Sequence, residues 1–290
     1  MASFKKLFAA AGVLALAAGL AACSGESKSE TVRIGVVGAS DEYWTTFEEA
    51  VEAEGIDVEL VDFGEYSLPN PALADGELDI NQFQHIFYLA NHNVQSGDDL
   101  TTLGSTAIYP LGLYSTKHDS VADIPEGGKV AIPNDPVNRG RGLLVLQSAG
   151  LLKLKDGGHP FATTEDIETT KVEITELDAA QLAPALADVD AAIINNDFLG
   201  NAGLTAGDAI AQDDPNDPAA FPYVNVFAVK KGDENNETYK KIVEIYQNTK
   251  AVQDGVVENS GGTAVLLKID NKELQDSLAK TEEAVRNNSK

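Results

Sequence analysis

Short apolar stretches alternate with amphipathic ones along most of this chain, and that alternation restricts the fold more than any other feature. Thr31 to Val37 (TVRIGVV) and Val58 to Phe63 (VELVDF) read as buried strands, with an amphipathic helix predicted over Glu42 to Glu54 between them. Asn70 to Asp75 reads as a short helix and Leu78 to Asn81 as a third strand. The apolar spacing of Phe83, Phe87, Leu89, Ala90 and Val94 predicts a helix over Phe83 to Val94, ended by Gly97. Lys129 to Ile132, Val172 to Glu176, Ala191 to Ile194 and Tyr223 to Val229 are further short strands, and Glu237 to Asn259 and Asn271 to Asn287 are helical. Strands interleaved with helices imply an α/β fold with mostly parallel sheets covered on both faces.

Two stretches break the pattern: Tyr109 to Thr116 (YPLGLYST) and the proline-rich Pro215 to Tyr223 (PNDPAAFPY). Taken as crossings, they divide the body into lobe one, residues 31–114 and 223–290, and lobe two, residues 115–222. Two α/β lobes joined by two crossover strands enclose a cleft, the usual place for a small ligand.

The first 23 residues form a separate unit. Lys5 and Lys6 precede an apolar run from Leu7 to Leu20, which leads to Leu20-Ala21-Ala22-Cys23. This is the secretory pattern, too short for a permanent span. It ends in the chain's only cysteine. Leu-Ala-Ala-Cys matches a bacterial lipobox, whose cysteine is acylated and becomes the mature N-terminus. Residues 24–30 follow as a polar tether. The expected location is the extracytoplasmic face of the cell membrane, held by lipid alone. No cysteine is left for disulfides, structural zinc or thiol catalysis. A formal net charge of −25 argues against nucleic-acid partners. The chain has no Gly-x-Ser-x-Gly elbow, P-loop, dinucleotide fingerprint or His-Glu-x-x-His, so nothing in it points to an enzyme or to a cofactor.

Three constellations carry chemistry. His85 and His92 stand seven residues apart in FQHIFYLANHNV, where one helix face would present both. Zinc, packing of His85 and ligand contact all fit, although zinc wants further ligands that His118 and His159 do not offer. An imidazole among aromatic rings can hydrogen-bond a polar ligand while the rings cover its apolar part. In Pro133-Asn134-Asp135-Pro136-Val137-Asn138-Arg139-Gly140-Arg141, Asn138 is expected as the N-cap of a helix closed by Gly150. Arg141 would then lie in the first turn, against the helix dipole, which suggests a ligand carboxylate or a bridge to one of the many acids. Asp190 to Phe198 (DAAIINNDF) is an apolar strand ending in amides, at the strand edge where open α/β sheets bind ligands.

Together these stretches resemble the NlpA lipoprotein family, the substrate-binding lipoproteins of bacterial methionine ABC importers. The resemblance rests on Tyr66-x-x-Pro69-Asn70-x-Ala72-Leu73, Asp79-x-Asn81-x-Phe83-Gln84-His85-x-x-Tyr88-Leu89 and Leu113-Tyr114-Ser115. It continues through Ile132-Pro133-Asn134-Asp135-Pro136-x-Asn138-x-Gly140-Arg141, Asp190-Ala191-Ala192-x-Ile194-Asn195 and Tyr223-x-Asn225-Val226. It implies a two-lobed, type II-like periplasmic-binding-protein fold without catalysis. It also implies capture of methionine, its D-form or a methionyl peptide, and delivery to an ABC permease and its ATPase. Carried over by motif, Arg141 holds the ligand carboxylate with help from Asn138, and Asn195 meets the polar end. His85, Tyr66, Phe83 and Tyr88 line one wall and Tyr109 the hinge side. The chain departs from the family pattern at Ile86-Phe87, where Lys-Pro is usual, and at Gly142, where Ala is usual. It departs again at Asn195-Asn196-Asp197-Phe198-Leu199, where Phe198 replaces a tyrosine. A zinc-binding lipoprotein using His85 and His92 and an adhesin-like surface antigen are the rival readings.

Overall fold

The computed structural model describes residues 31–288, so the lipobox with Cys23 and the tether lie outside the described residues. The first part of the chain runs β1 (Val32–Val36), α1 (Glu42–Ala53), β2 (Val58–Asp62), α2 (Pro69–Asp75), β3 (Ile80–His85), α3 (Ile86–Ser96), β4 (Leu100–Ser105) and β5 (Ala107–Ile108). Then come β6 (Gly112–Tyr114), β7 (Gly128–Pro133), α4 (Pro136–Ser148), β8 (Leu152–Leu154), β9 (Ile167–Thr170), β10 (Val172–Leu177), α5 (Ala179–Ala185), β11 (Ala191–Ile194) and β12 (Ala211–Gln212). The last part is β13 (Asn225–Lys230), α6 (Glu237–Asn248), α7 (Lys250–Asn259), β14 (Val265–Leu266) and α8 (Asn271–Asn288). Among the described residues no helix is long and apolar enough to cross a membrane.

The main strands form two five-stranded sheets, β2-β1-β3-β13-β4 and β10-β7-β11-β6-β12. The fold is therefore α/β and two-lobed, but the sheets are mixed rather than nearly all parallel. In each, three neighbouring strands run parallel and the fourth in spatial order is antiparallel to both its neighbours. That reversed strand, β6 or β13, is where the chain first enters the sheet after leaving the other one. Gly112–Tyr114, which the sequence reading leaves at the end of lobe one, pairs within the second sheet.

Local chemistry sets the elements around the cleft. Asp135 caps α4, its Oδ1 accepting from the N–H groups of Val137 and Asn138, with Pro136 in the first helical position. Asn138 is thus in the first turn and Arg141 in the second, one turn further along than the sequence suggested. The helix macrodipole consequently has little to do with Arg141, because it fades beyond the first turn. Gly97 ends α3 with φ 81°, a left-handed conformation that suits glycine. Behind the cleft, Asn70, Asn81 and Gln84 form a buried amide network. Asn70 Nδ2 donates to Gln84 Oε1 at 2.7 Å, and Asn81 Nδ2 to Asn70 Oδ1 at 2.9 Å. Three of the motif residues therefore fasten α2 to β3. Trp44 is part of the core, packed with Phe47 and Tyr246, and does not reach the cleft.

Candidate functional site: a cleft between two sheets

The C-terminal ends of β3 and β11 and the helix that follows β7 converge on one cavity of about 440 Å3, including its mouth. Its lining includes Tyr66, Phe83, His85, Tyr88, Tyr109, Arg141 and Asn195. Seven of the eight ligand candidates named from sequence thus meet in one place. The eighth, Asn138, lies directly behind them, its Oδ1 3.4 Å from His85 Nε2 and 3.3 Å from Asn195 Nδ2.

One wall is aromatic. The ring of Tyr66 stands 5.8 Å from Phe83, 6.1 Å from Tyr88 and 5.0 Å from Phe198, and Phe83 stands 5.8 Å from Tyr88. Phe198, which occupies the family's tyrosine position, backs Tyr66 rather than lining the cavity. His85 ends β3 and caps α3, its Nδ1 accepting from Tyr88 N–H at 3.1 Å. That bond leaves the proton on Nε2, which faces the oxygen of Asn138. Burial, and secondarily the charge of Arg141, push its pKa down to about 3, so the imidazole is neutral at physiological pH.

This geometry removes the zinc reading. Both nitrogens of His85 are engaged, and His85 belongs to a strand end rather than to the helix face that carries His92. His92 is half-buried, not an exposed neighbour, with Nε2 2.8 Å from Asp98. Among the described residues no three His, Cys, Asp or Glu side chains are grouped to hold a metal ion.

The opposite wall is polar. Arg141 is buried and gives Nε to Asp213 Oδ2 at 2.6 Å. Its Nη2 donates to Asp213 Oδ1 at 3.1 Å and to the Tyr109 carbonyl at 2.9 Å, and its guanidinium lies 4.3 Å from the ring centre of Tyr223. Sequence left open whether Arg141 serves a ligand or an acid of the protein; the two-bond grip goes to Asp213. Among the described residues no acceptor takes a hydrogen bond from Nη1. Asn195 Oδ1 is buried without a partner, while its Nδ2 is held by Asn138. A donor and an acceptor are therefore left over at the polar end.

A second hollow, about 2020 Å3 including its opening, lies on the far side of Arg141, between α4, α8 and residues 212–223. It is a wide groove whose polar lining includes Arg141 and Asp213, already paired with each other, so the first cavity, with its unpartnered Asn195 Oδ1, is the better site.

Residues 32–266 match the family model described as NlpA lipoprotein. The chain belongs to the NlpA lipoprotein family. It is 38% identical over 265 residues to the D-methionine-binding lipoprotein MetQ of Salmonella typhi, covering 89% of this chain and 96% of that protein. The substrate-binding protein of a methionine transporter from Streptococcus pneumoniae superposes with a TM-score of 0.76 at 37% identity, covering 82% of this chain and 95% of that one. A nutrient-binding protein from Burkholderia cenocepacia, solved bound to methionine, gives 0.75 at 40% identity, with coverages of 81% and 99%. The family is one of binding lipoproteins, not enzymes.

In this NlpA lipoprotein the cavity also takes in residues that the sequence reading did not select. Asn225 stands opposite His85 in the β13–β3 pairing and lines the cavity beside it. Its motif was visible, but only the antiparallel register brings it next to His85. Asp213, one of many acids and two residues before the proline-rich crossing, is outside the cavity lining but orients Arg141. Asp197 was given no role from sequence; it lines the cavity and accepts from Tyr66 O–H at 2.7 Å across the two lobes.

Proposed function

We propose that this chain is a lipid-anchored, extracytoplasmic substrate-binding protein that captures methionine in the cleft and delivers it to an ABC permease driven by a cytoplasmic ATPase. The observation that carries the reading is a single cavity with an aromatic wall at one end and an unpaired donor and acceptor at the other. Tyr66, Phe83, Tyr88 and neutral His85 suit a thioether chain, because sulfur makes favourable contacts with ring edges. Arg141 Nη1 and Asn195 Oδ1 suit an α-carboxylate and an α-ammonium. The methionine-related relatives and the methionine-bound structure support the same ligand.

The deciding experiment is titration calorimetry of the purified body with methionine and with glutamine. Glutamine has similar length, but its amide would be buried against rings without partners, at about 1–3 kcal/mol. Methionine should win by roughly 5- to 150-fold. Equal binding of the two would reject the thioether wall. Zinc added to chelator-treated protein should leave thermal stability unchanged.

The anchor is tested separately, through Cys23. Two or three acyl chains hold a protein stably where one holds it only marginally. Cys23→Ser is therefore expected to move the protein from the membrane to the soluble fraction, and unchanged fractionation would refute the anchor.

A further inference from the structure

The cavity holds one charge that the protein does not balance. Arg141 is matched by Asp213, which also accepts from Leu111 N–H at 2.8 Å. Asp135 is half-buried, and it receives the amides of the α4 N-terminus and Asn138 Nδ2. Among the described residues Asp197, on the wall two residues beyond Asn195, receives only the hydroxyl of Tyr66, at 2.7 Å on Oδ2. The groups that face it are Tyr66, Tyr43, Tyr109 and Tyr246, all neutral, and Asp41, which is a like charge. No lysine or arginine is among them.

We infer that Asp197 is a specificity-determining residue of the cleft, receiving the ammonium group of the ligand together with the unpartnered Oδ1 of Asn195. This inference rests on the amino-acid-binding reading and deepens it. A ligand ammonium would supply the counter-charge, because an ionised carboxylate in this enclosure gains more from a cation than from any neutral donor. A ligand with the same side chain and carboxylate but no amino group would leave Asp197 and Asn195 both unmatched.

Titration gives a signature that a merely structural aspartate would lack. Burial raises the pKa of Asp197 to about 7, against the partial offset of the Tyr66 hydrogen bond. An ammonium placed beside it favours the ionised form, so binding near neutral pH expels a proton, about half of one per ligand at pH 7. Affinity is then full above pH 7 and falls as the pH drops below it, because protonated Asp197 has no charge to offer. His85, already neutral, does not titrate in that window.

The test is calorimetry of the wild type, Asp197→Asn and Asp197→Glu with methionine, in two buffers of different ionisation heat at pH 7. The deaminated analogue 4-(methylthio)butanoate serves as the second probe. Asp197→Asn should weaken methionine by roughly 10- to 100-fold, leave the analogue's weak binding unchanged and remove the buffer-dependent heat. Asp197→Glu should restore part of both affinity and proton release. Binding of the deaminated analogue to the wild type as tightly as methionine overturns the inference without recourse to any variant, as does methionine binding of wild-type strength by Asp197→Asn. Either result leaves methionine capture standing. Failure of the wild type to bind methionine at all would remove the functional reading and this inference with it.

Discussion

Arg141→Ala should lose methionine binding by roughly a hundredfold or more and should also melt at a lower temperature than the wild type. Both effects follow from the position of Arg141 between the cavity and Asp213. Removing one partner of an enclosed charge pair costs about 3 kcal/mol or more, and about 1.4 kcal/mol is tenfold in affinity. The stability loss arises separately. Arg141 fastens the carbonyl of Tyr109 in the first crossing segment to Asp213, just before the second, and Asp213 in turn holds Leu111 N–H. Alanine would strand a carboxylate whose side chain is only 25% exposed. The double variant Arg141→Met, Asp213→Asn tests the separation. Asparagine still accepts from Leu111, so thermal stability should recover most of the loss while methionine binding stays absent. Wild-type affinity in Arg141→Ala would move the arginine to a purely structural role. Arg141→Lys should restore little, because a point charge cannot span both oxygens of Asp213 and still present a donor to the cleft.

Gly140→Ala should destabilise the protein even though alanine is the better helix former by about 1 kcal/mol. A Cβ on Gly140 would stand 2.1 Å from the carbonyl oxygen of Pro160 and 2.9 Å from its carbon, both backbone atoms. No rotamer change relieves that contact, so α4 or the loop at 159–162 must move. Overpacking of this kind costs about 1–3 kcal/mol, often more against backbone. A net loss near 2 kcal/mol would lower Tm by about 4–8 °C in a chain of this size. Moving α4 also displaces Asn138 and Arg141, so methionine affinity should fall with it. Gly142→Ala, which restores the usual family residue, is the control. Its Cβ meets only the Ile193 side chain, at 3.3 Å, and the change should stay within about 1 kcal/mol of neutral. Equal melting of the Gly140 variant and the wild type would refute the close approach.

The cleft also shows which kinds of residue a sequence reveals. His85 and Arg141 stood out because histidine and arginine are scarce in this acidic chain, while Tyr66, Phe83 and Tyr88 were reached through the motifs shared with the family. Asp197 and Asp213 did not stand out, being two among 46 acidic residues. Nothing along the chain marks an aspartate that faces a cation or one that faces none. The positional slips have two causes. The apolar spacing from Phe83 onward fits a helix, but pairing with β13 holds Ile80–His85 as a strand, so His85 became the cap of α3 rather than a member of it. Asp135, not Asn138, caps α4, because an acid followed by Pro136 places the first helical residue three positions earlier.

By itself, then, the sequence determined the alternation of strands and helices, and its motifs marked the side chains proposed to meet the ligand. Hydrophobic periodicity and motif spacing are local properties, and a reader of the chain has them in full. The tertiary structure alone decided that β6 and β13 run against their sheets, since a strand's direction depends on where the chain re-enters. It alone decided that Arg141 is balanced by Asp213, 72 residues away, while Asp197 is left with a hydroxyl. Charge balance in an enclosed site depends on distance and on exclusion of water, and neither is written along the chain.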